Sequence, residues 1–197
     1  MDVETRPLDS KTRNRNRGLL IAIFMMFFGS MLVAGVLRFT GWMPEGRKNF
    51  GEMLQPPSDI RELSPALVGG GDYAWNRDAR TWRIVVAAPA ECDAACAKLA
   101  HDLDTVWRLF GKDADRVHVL WLCDGPACMP PASVQRPRTL KQVRPDPRLS
   151  ASLPRLDDPK GLPVYVIDPN GFVILRYAPG FDPAGLRADL AKLLKLA

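Results

Sequence analysis

Histidine is nearly absent from this chain, with only His101 and His118 among 197 residues. No Ser/His/Asp constellation, phosphate-cradling glycine loop or paired-carboxylate arrangement is present, which excludes the common hydrolytic and phosphoryl-transfer sites. A large excess of charge of one sign is also lacking. Residues 1–17 contain five basic and three acidic residues, so the remainder carries only +3 of the net +5. No basic patch interleaved with aromatics accompanies that excess, and nucleic acid is not an expected partner. The four cysteines follow no zinc-ligand spacing.

What is present begins with one long apolar run. Gly18 to Leu37 (GLLIAIFMMFFGSMLVAGVL) holds no charged residue. At about 1.5 Å per residue it spans roughly 30 Å, the hydrocarbon thickness of a bilayer. A cleaved signal peptide would have a shorter apolar core and a small-x-small site before Arg38, and neither is found. The stretch therefore reads as an uncleaved signal anchor. Basic residues from Lys11 to Arg17 directly precede it, so the positive-inside rule keeps the N-terminus in the cytoplasm. Residues 1–17 are then a cytoplasmic tail, 18–37 a transmembrane helix, 38–80 a periplasmic tether and N-terminal extension, and 81–197 the folded domain. The expected location is the bacterial inner membrane with the domain in the periplasm. Trp42, just past the span, suits an interfacial anchor. All four cysteines follow the span, in a compartment where disulfides persist.

Within the domain, Trp82–Ala88 reads as a buried strand and residues 92–110 as an amphipathic helix, with Leu99, Leu103, Val106, Trp107 and Phe110 at spacings of three and four. Residues 116–122 (RVHVLWL) read as a second strand. Residues 123–162 hold two cysteines, eight prolines and a basic cluster. They read as a long loop, with a short helix expected near 139–143 or 147–153. Residues 163–168 and 172–177 form a hairpin closed by Asp168-Pro169-Asn170-Gly171. Asp182 and Pro183 then start a final helix striped by Leu186, Leu190, Leu193 and Leu194. Strand–helix–strand followed by hairpin and helix is the layout of the α/β thioredoxin-like fold.

Cys92 and Cys96 sit where the first strand turns into the first helix, the place of the active site in that fold. Partial positive charge at a helix N-terminus favours a thiolate, which is both nucleophile and soft metal ligand. If both residues are helical, they share one face. Three roles stay open for the pair: catalytic dithiol–disulfide exchange, Cu(I) binding by two thiolates with a third ligand such as Met129, and a static staple. Cys123 and Cys128 (CDGPAC) bracket a turn at the end of the second strand. They read as a local disulfide, with a second redox pair or a relay to Cys92 and Cys96 as the alternative. His101 lies about 140° round the helix from Cys96 and faces away. His118 lies inside a strand and reads as a core position. The basic residues of 136–148 read as solvated surface, or as a contact for anionic headgroups.

With these residues in view, the chain resembles the membrane-anchored, thioredoxin-like proteins of the Sco/SenC type, the copper chaperones of cytochrome c oxidase assembly. The resemblance is carried by the single N-terminal span, by Asn49-Phe50-Gly51 with Leu54 and Pro56, by the Cys92-x3-Cys96 pair and by the hairpin PVYVIDPNGFVILRY. It implies copper as cargo, an inner-membrane or periplasmic protein partner such as an oxidase subunit, and thiol–disulfide oxidoreductase or metal-handling chemistry. A non-catalytic assembly scaffold with structural disulfides is the alternative. The histidine that completes the Sco copper site has no counterpart in residues 156–162 (LDDPKGL). Pro163 instead matches the proline that thioredoxin-like proteins hold cis beside the active cysteines.

Overall fold

The computed structural model describes residues 10–40, 49–135 and 138–196. Trp42, Arg136 and residues 1–9 of the predicted tail lie outside them. Two compact units divide the chain near Arg47. The first contains α1 (Ser10–Thr40), a helix whose stretch Arg13–Thr40 is long and apolar enough to cross a membrane. Its apolar side chains are exposed all round, as a lipid-facing helix requires. Ser30 returns its hydroxyl to the Phe27 carbonyl at 2.8 Å, which leaves no unpaired donor in the apolar stretch at that position.

The second unit is built on one six-stranded sheet. Its strands are β1 (Glu52–Asp59), β2 (Trp82–Ala87), β3 (Val117–Leu122), β4 (Leu140–Val143), β5 (Val164–Ile167) and β6 (Phe172–Tyr177). They lie in the order β1-β6-β5-β2-β3-β4, with β2, β3 and β4 mutually parallel and the β2–β5, β5–β6 and β6–β1 pairs antiparallel. The helices are α2 (Ala94–Arg108), α3 (Pro147–Ala151) and α4 (Pro183–Leu196).

Side-chain alternation along the central strands supplies two cores. Ile84 and Val86 of β2, Val119 and Trp121 of β3, and Val164 and Val166 of β5 meet Leu103 and Val106 of α2 and Leu186 and Leu190 of α4. Their neighbours Val85, Leu120, Tyr165 and Ile167 face the other way, onto Leu149, Leu153, Leu54 and Ile60. The hairpin turn forms as its residue types require: the Asp168 carboxylate accepts from the backbone N–H groups of Asn170, Gly171 and Phe172, and Gly171 takes a φ of 100°.

Two sequence expectations change, and the 147–153 alternative for the short helix is met. Residues 139–143 do not form a helix: Leu140–Val143 is an edge strand paired with β3, because a parallel neighbour satisfies its backbone groups. The short helix lies at Pro147–Ala151, capped by Asp146. Where a tether and extension were read, Glu52–Asp59 joins the sheet beside β6. Its two prolines suit an edge, where one side of the strand needs no ladder partner. The chain enters that strand through Asn49-Phe50-Gly51, and here the sequence motif has a physical use. One oxygen of the Asp189 carboxylate on α4 accepts from Phe50 N–H at 2.8 Å, Gly51 N–H at 3.0 Å and the Tyr177 hydroxyl at 2.9 Å. A Cβ on Gly51 would lie 2.6 Å from the Tyr177 ring.

Candidate functional site

The cysteine pair is placed by the junction of β2 and α2. β2 ends at Ala87, and Ala88 N–H donates to the Leu122 carbonyl at 3.0 Å. The chain leaves the sheet through Pro89–Glu91 and reaches Cys92 one residue before the helix cap. Asp93 is that cap: its carboxylate accepts from Cys96 N–H at 2.8 Å. Cys96 therefore lies in the first turn of α2, and Cys92 lies outside the helix, so the expectation that both are helical is corrected. The two remain within bridging reach because Asp93 turns the chain, with Cα atoms 5.2 Å apart and the sulfurs bonded to each other. Their environments differ. Cys96 is fully buried in the core beneath α2, whereas Cys92 is partly exposed at the rim of the same apolar cluster.

Cys123 and Cys128 are bonded to each other across the Asp124–Ala127 turn at the end of β3. Both are buried, in the same cluster as Cys92 and Cys96. The turn is fixed at several points. Trp121, itself fully buried, donates its indole N–H to the Cys128 carbonyl at 2.9 Å, and Gln142 donates to the Cys123 carbonyl at 3.2 Å. Cys92 N–H donates to the Ala127 carbonyl at 2.9 Å, joining the two cysteine loops directly. Met129 packs against this cluster as well. Trp121 and the Ala127 carbonyl were not singled out in the sequence. The first reads as one more core aromatic, and the second is a backbone group that no residue type announces.

Pro163 is buried just before β5, but the Leu162–Pro163 bond is trans, the lower-energy isomer of an X-Pro peptide. The cis bond among the described residues is Gln55–Pro56, in β1. Beside the first turn of α2 runs a groove of about 330 Å³ lined by Ala95, Leu99, Leu162 and Phe181, with Lys98 and Lys160 along it.

Both histidines lie away from the pair. His101 is exposed on α2. His118 stands opposite Arg83 in the β2–β3 register, near the start of both strands, and its Nδ1 is 2.8 Å from the Tyr73 hydroxyl. That hydroxyl also accepts from Arg83 Nε at 3.0 Å, which brings a cation close to the imidazole. Burial, with Lys141 and Arg83 adding to it, lowers the His118 pKa to about 4. Among the described residues no group of three or more His, Cys, Asp or Glu side chains could hold a metal ion. The soft donors in this cluster are the four cysteine sulfurs and the Met129 thioether, and neither histidine belongs to it.

A half-exposed cysteine bridged to a buried one, at the turn from a central strand into a helix, defines a thioredoxin-like protein, here with a helix of membrane-crossing length before it. The chain belongs to the family described as transmembrane-like, thioredoxin-like, C-terminal domain, whose model matches residues 82–197, more than half of its length. Sco proteins share its fold. The apo Sco1 protein of Thermus thermophilus is 16% identical, with a TM-score of 0.52 over 76% of this chain and 99% of that one. Copper-bound yeast Sco1 is 15% identical, with a TM-score of 0.51 over 76% of this chain and 95% of that one. A SCO1/SenC family lipoprotein from Bacillus anthracis is 12% identical, with a TM-score of 0.50 over 71% and 98%. No curated protein matches the chain.

Proposed function

We propose that this chain is a membrane-anchored thiol–disulfide exchange protein acting in the assembly of a respiratory oxidase. Residues 1–17 lie in the cytoplasm, residues 18–37 cross the inner membrane, and the domain works in the periplasm. The observation that carries the reading is the asymmetry of the bridge. Cys92 is reachable from outside, and Cys96 waits behind it with its amide in the first turn of α2.

In the dithiol form, the Cys92 thiolate attacks a partner disulfide and forms a mixed disulfide, and the partner's displaced sulfur takes up a proton. The Cys96 thiolate then attacks Cys92 Sγ, regenerates the Cys92–Cys96 bond and releases the partner as a dithiol. Two electrons and two protons pass to the partner, and the same steps in reverse oxidise it. The groove beside Ala95 and Leu99 offers an apolar floor for the segment that carries the target cysteines. The link to oxidase assembly rests on the fold shared with Sco proteins. A copper-carrying role for the same two thiolates is the second reading, supported by the Met129 thioether in their cluster.

The experiment is Cys92→Ser in cells, with folding of the variant domain checked separately. The proposal expects lowered assembled oxidase and accumulation of the oxidase's metal-site cysteines in the wrong redox state. An unchanged oxidase level would leave only the scaffold role. A Cu(I) competition titration of the reduced protein separates the two thiol readings: tight one-to-one binding lost in Cys92→Ser marks a carrier, and no binding marks exchange.

A further inference from the structure

We propose that Cys123–Cys128 is the internal exchange partner of Cys92–Cys96, so that the chain passes electron pairs between its own two disulfides. The inference rests on the reading of Cys92 as the attacking thiol and adds a second redox centre behind it.

Four observations place the pairs in one device. Both lie at the C-terminal ends of adjacent parallel strands, β2 and β3, and all four sulfurs belong to one apolar cluster. The two loops are joined through the residues immediately before Cys123 and Cys128: Leu122 accepts from Ala88 N–H and Ala127 accepts from Cys92 N–H. Cys92 is the most exposed of the four, since Cys96, Cys123 and Cys128 are 0%, 1% and 7% exposed. A reagent in solution meets Cys92 more readily than the second pair, whose loop is hydrogen-bonded to the Cys92 backbone. Finally, the Gly125 carbonyl lies 3.1 Å from Cys123 Sγ and 3.3 Å from Cys128 Sγ, so an acceptor for either thiol is in place when that bridge opens.

The step balances within the molecule. With the first pair reduced, the Cys92 thiolate attacks Cys128 Sγ, which belongs to the residue next to the Ala127 contact. The Cys123–Cys128 bond breaks, and Cys123 leaves as a thiolate that takes up a proton. The Cys96 thiolate attacks Cys92 Sγ and releases Cys128 as a thiol. One disulfide has formed and one has been reduced, so two electrons and two protons have moved and no outside oxidant is required.

The test uses the full-length, fully oxidised protein in detergent. A dithiol reductant is added, samples are alkylated at intervals, and mass spectrometry reads each pair. The proposal expects Cys92–Cys96 to open first and Cys123–Cys128 to follow. In a Cys92→Ser/Cys96→Ser variant, reduction of Cys123–Cys128 should slow at least tenfold. Cys92→Ala/Cys96→Ala serves as a second variant, and circular dichroism checks that each is folded. Opening of the first pair with an unchanged rate for the second, or with the second never reduced, overturns the relay and leaves the exchange reading standing. Failure of the first pair to open overturns both.

Discussion

Asp189 offers the sharpest test of how the domain is held together. Its carboxylate is buried at 1% exposure and one of its oxygens accepts three hydrogen bonds, from Phe50 N–H, Gly51 N–H and the Tyr177 hydroxyl. Lys192 lies 3.4 Å from the other oxygen. Hydrogen bonds to an ionised group contribute about 1.5–3 kcal/mol each, and bonds sharing one acceptor do not add. Asp189→Asn keeps the shape but loses the charge, and its amide turns donors toward donors. We expect a loss of about 2–4 kcal/mol. For a domain of this size that corresponds to a fall in Tm of roughly 5–15 °C. Gly51→Ala attacks the same point sterically, because its Cβ would meet the Tyr177 ring at 2.6 Å. Its cost should fall in the 1–3 kcal/mol range of overpacked sites. Thermal unfolding followed by circular dichroism gives the size of each effect, and amide exchange gives its location. Protection should fall first in β1, where the hook anchors the strand. A loss below 1 kcal/mol in Asp189→Asn, or even loss of protection across all strands, would refute the idea that this carboxylate fastens the entering chain.

Two further outcomes follow from the local chemistry. His118 has a lowered folded-state pKa, so as pH falls through 6.5 the unfolded chain gains a proton that the native state refuses until about 4. Stability should therefore drop by up to about 3 kcal/mol over that window and then level off. His118→Gln, whose amide can still pair with the Tyr73 hydroxyl, should flatten that part of the profile in denaturant melts at pH 7 and 4.5, and parallel profiles would contradict the assignment. Asp93→Ala removes the cap on Cys96 N–H and should cost about 1 kcal/mol. Chemical denaturation of the oxidised protein measures it, and a change under about 0.3 kcal/mol would show that the disulfide alone holds the helix start.

The central strands, α2 and α4 were readable because burial on both faces or on one stripe leaves a period in the residues. Trp82–Ala87 and Val117–Leu122 carry such runs, and the leucines of α4 repeat at helical spacing. β1 and β4 left no such trace. Glu52–Asp59 holds two prolines and polar residues, Leu140–Val143 is only four residues long, and both are strands chiefly through the neighbour they pair with. The site was legible to the same degree. Residue type and position revealed both cysteine pairs, whereas the Ala127 contact that couples them depends on a backbone carbonyl. Asp189 was invisible for a related reason: a carboxylate on a leucine-striped helix reads as surface until the donors that draw it inward are known.

The hook at Asn49-Phe50-Gly51 has a mechanical consequence. Any pull transmitted along the chain from its N-terminal side reaches Asp189 and the β1–β6 ladder first. Those contacts lie on one margin of the sheet, separated from β2 by β6 and β5. Tension from the anchor is thus absorbed by α4 and an outer strand, and the loops that hold the sulfurs are shielded from it.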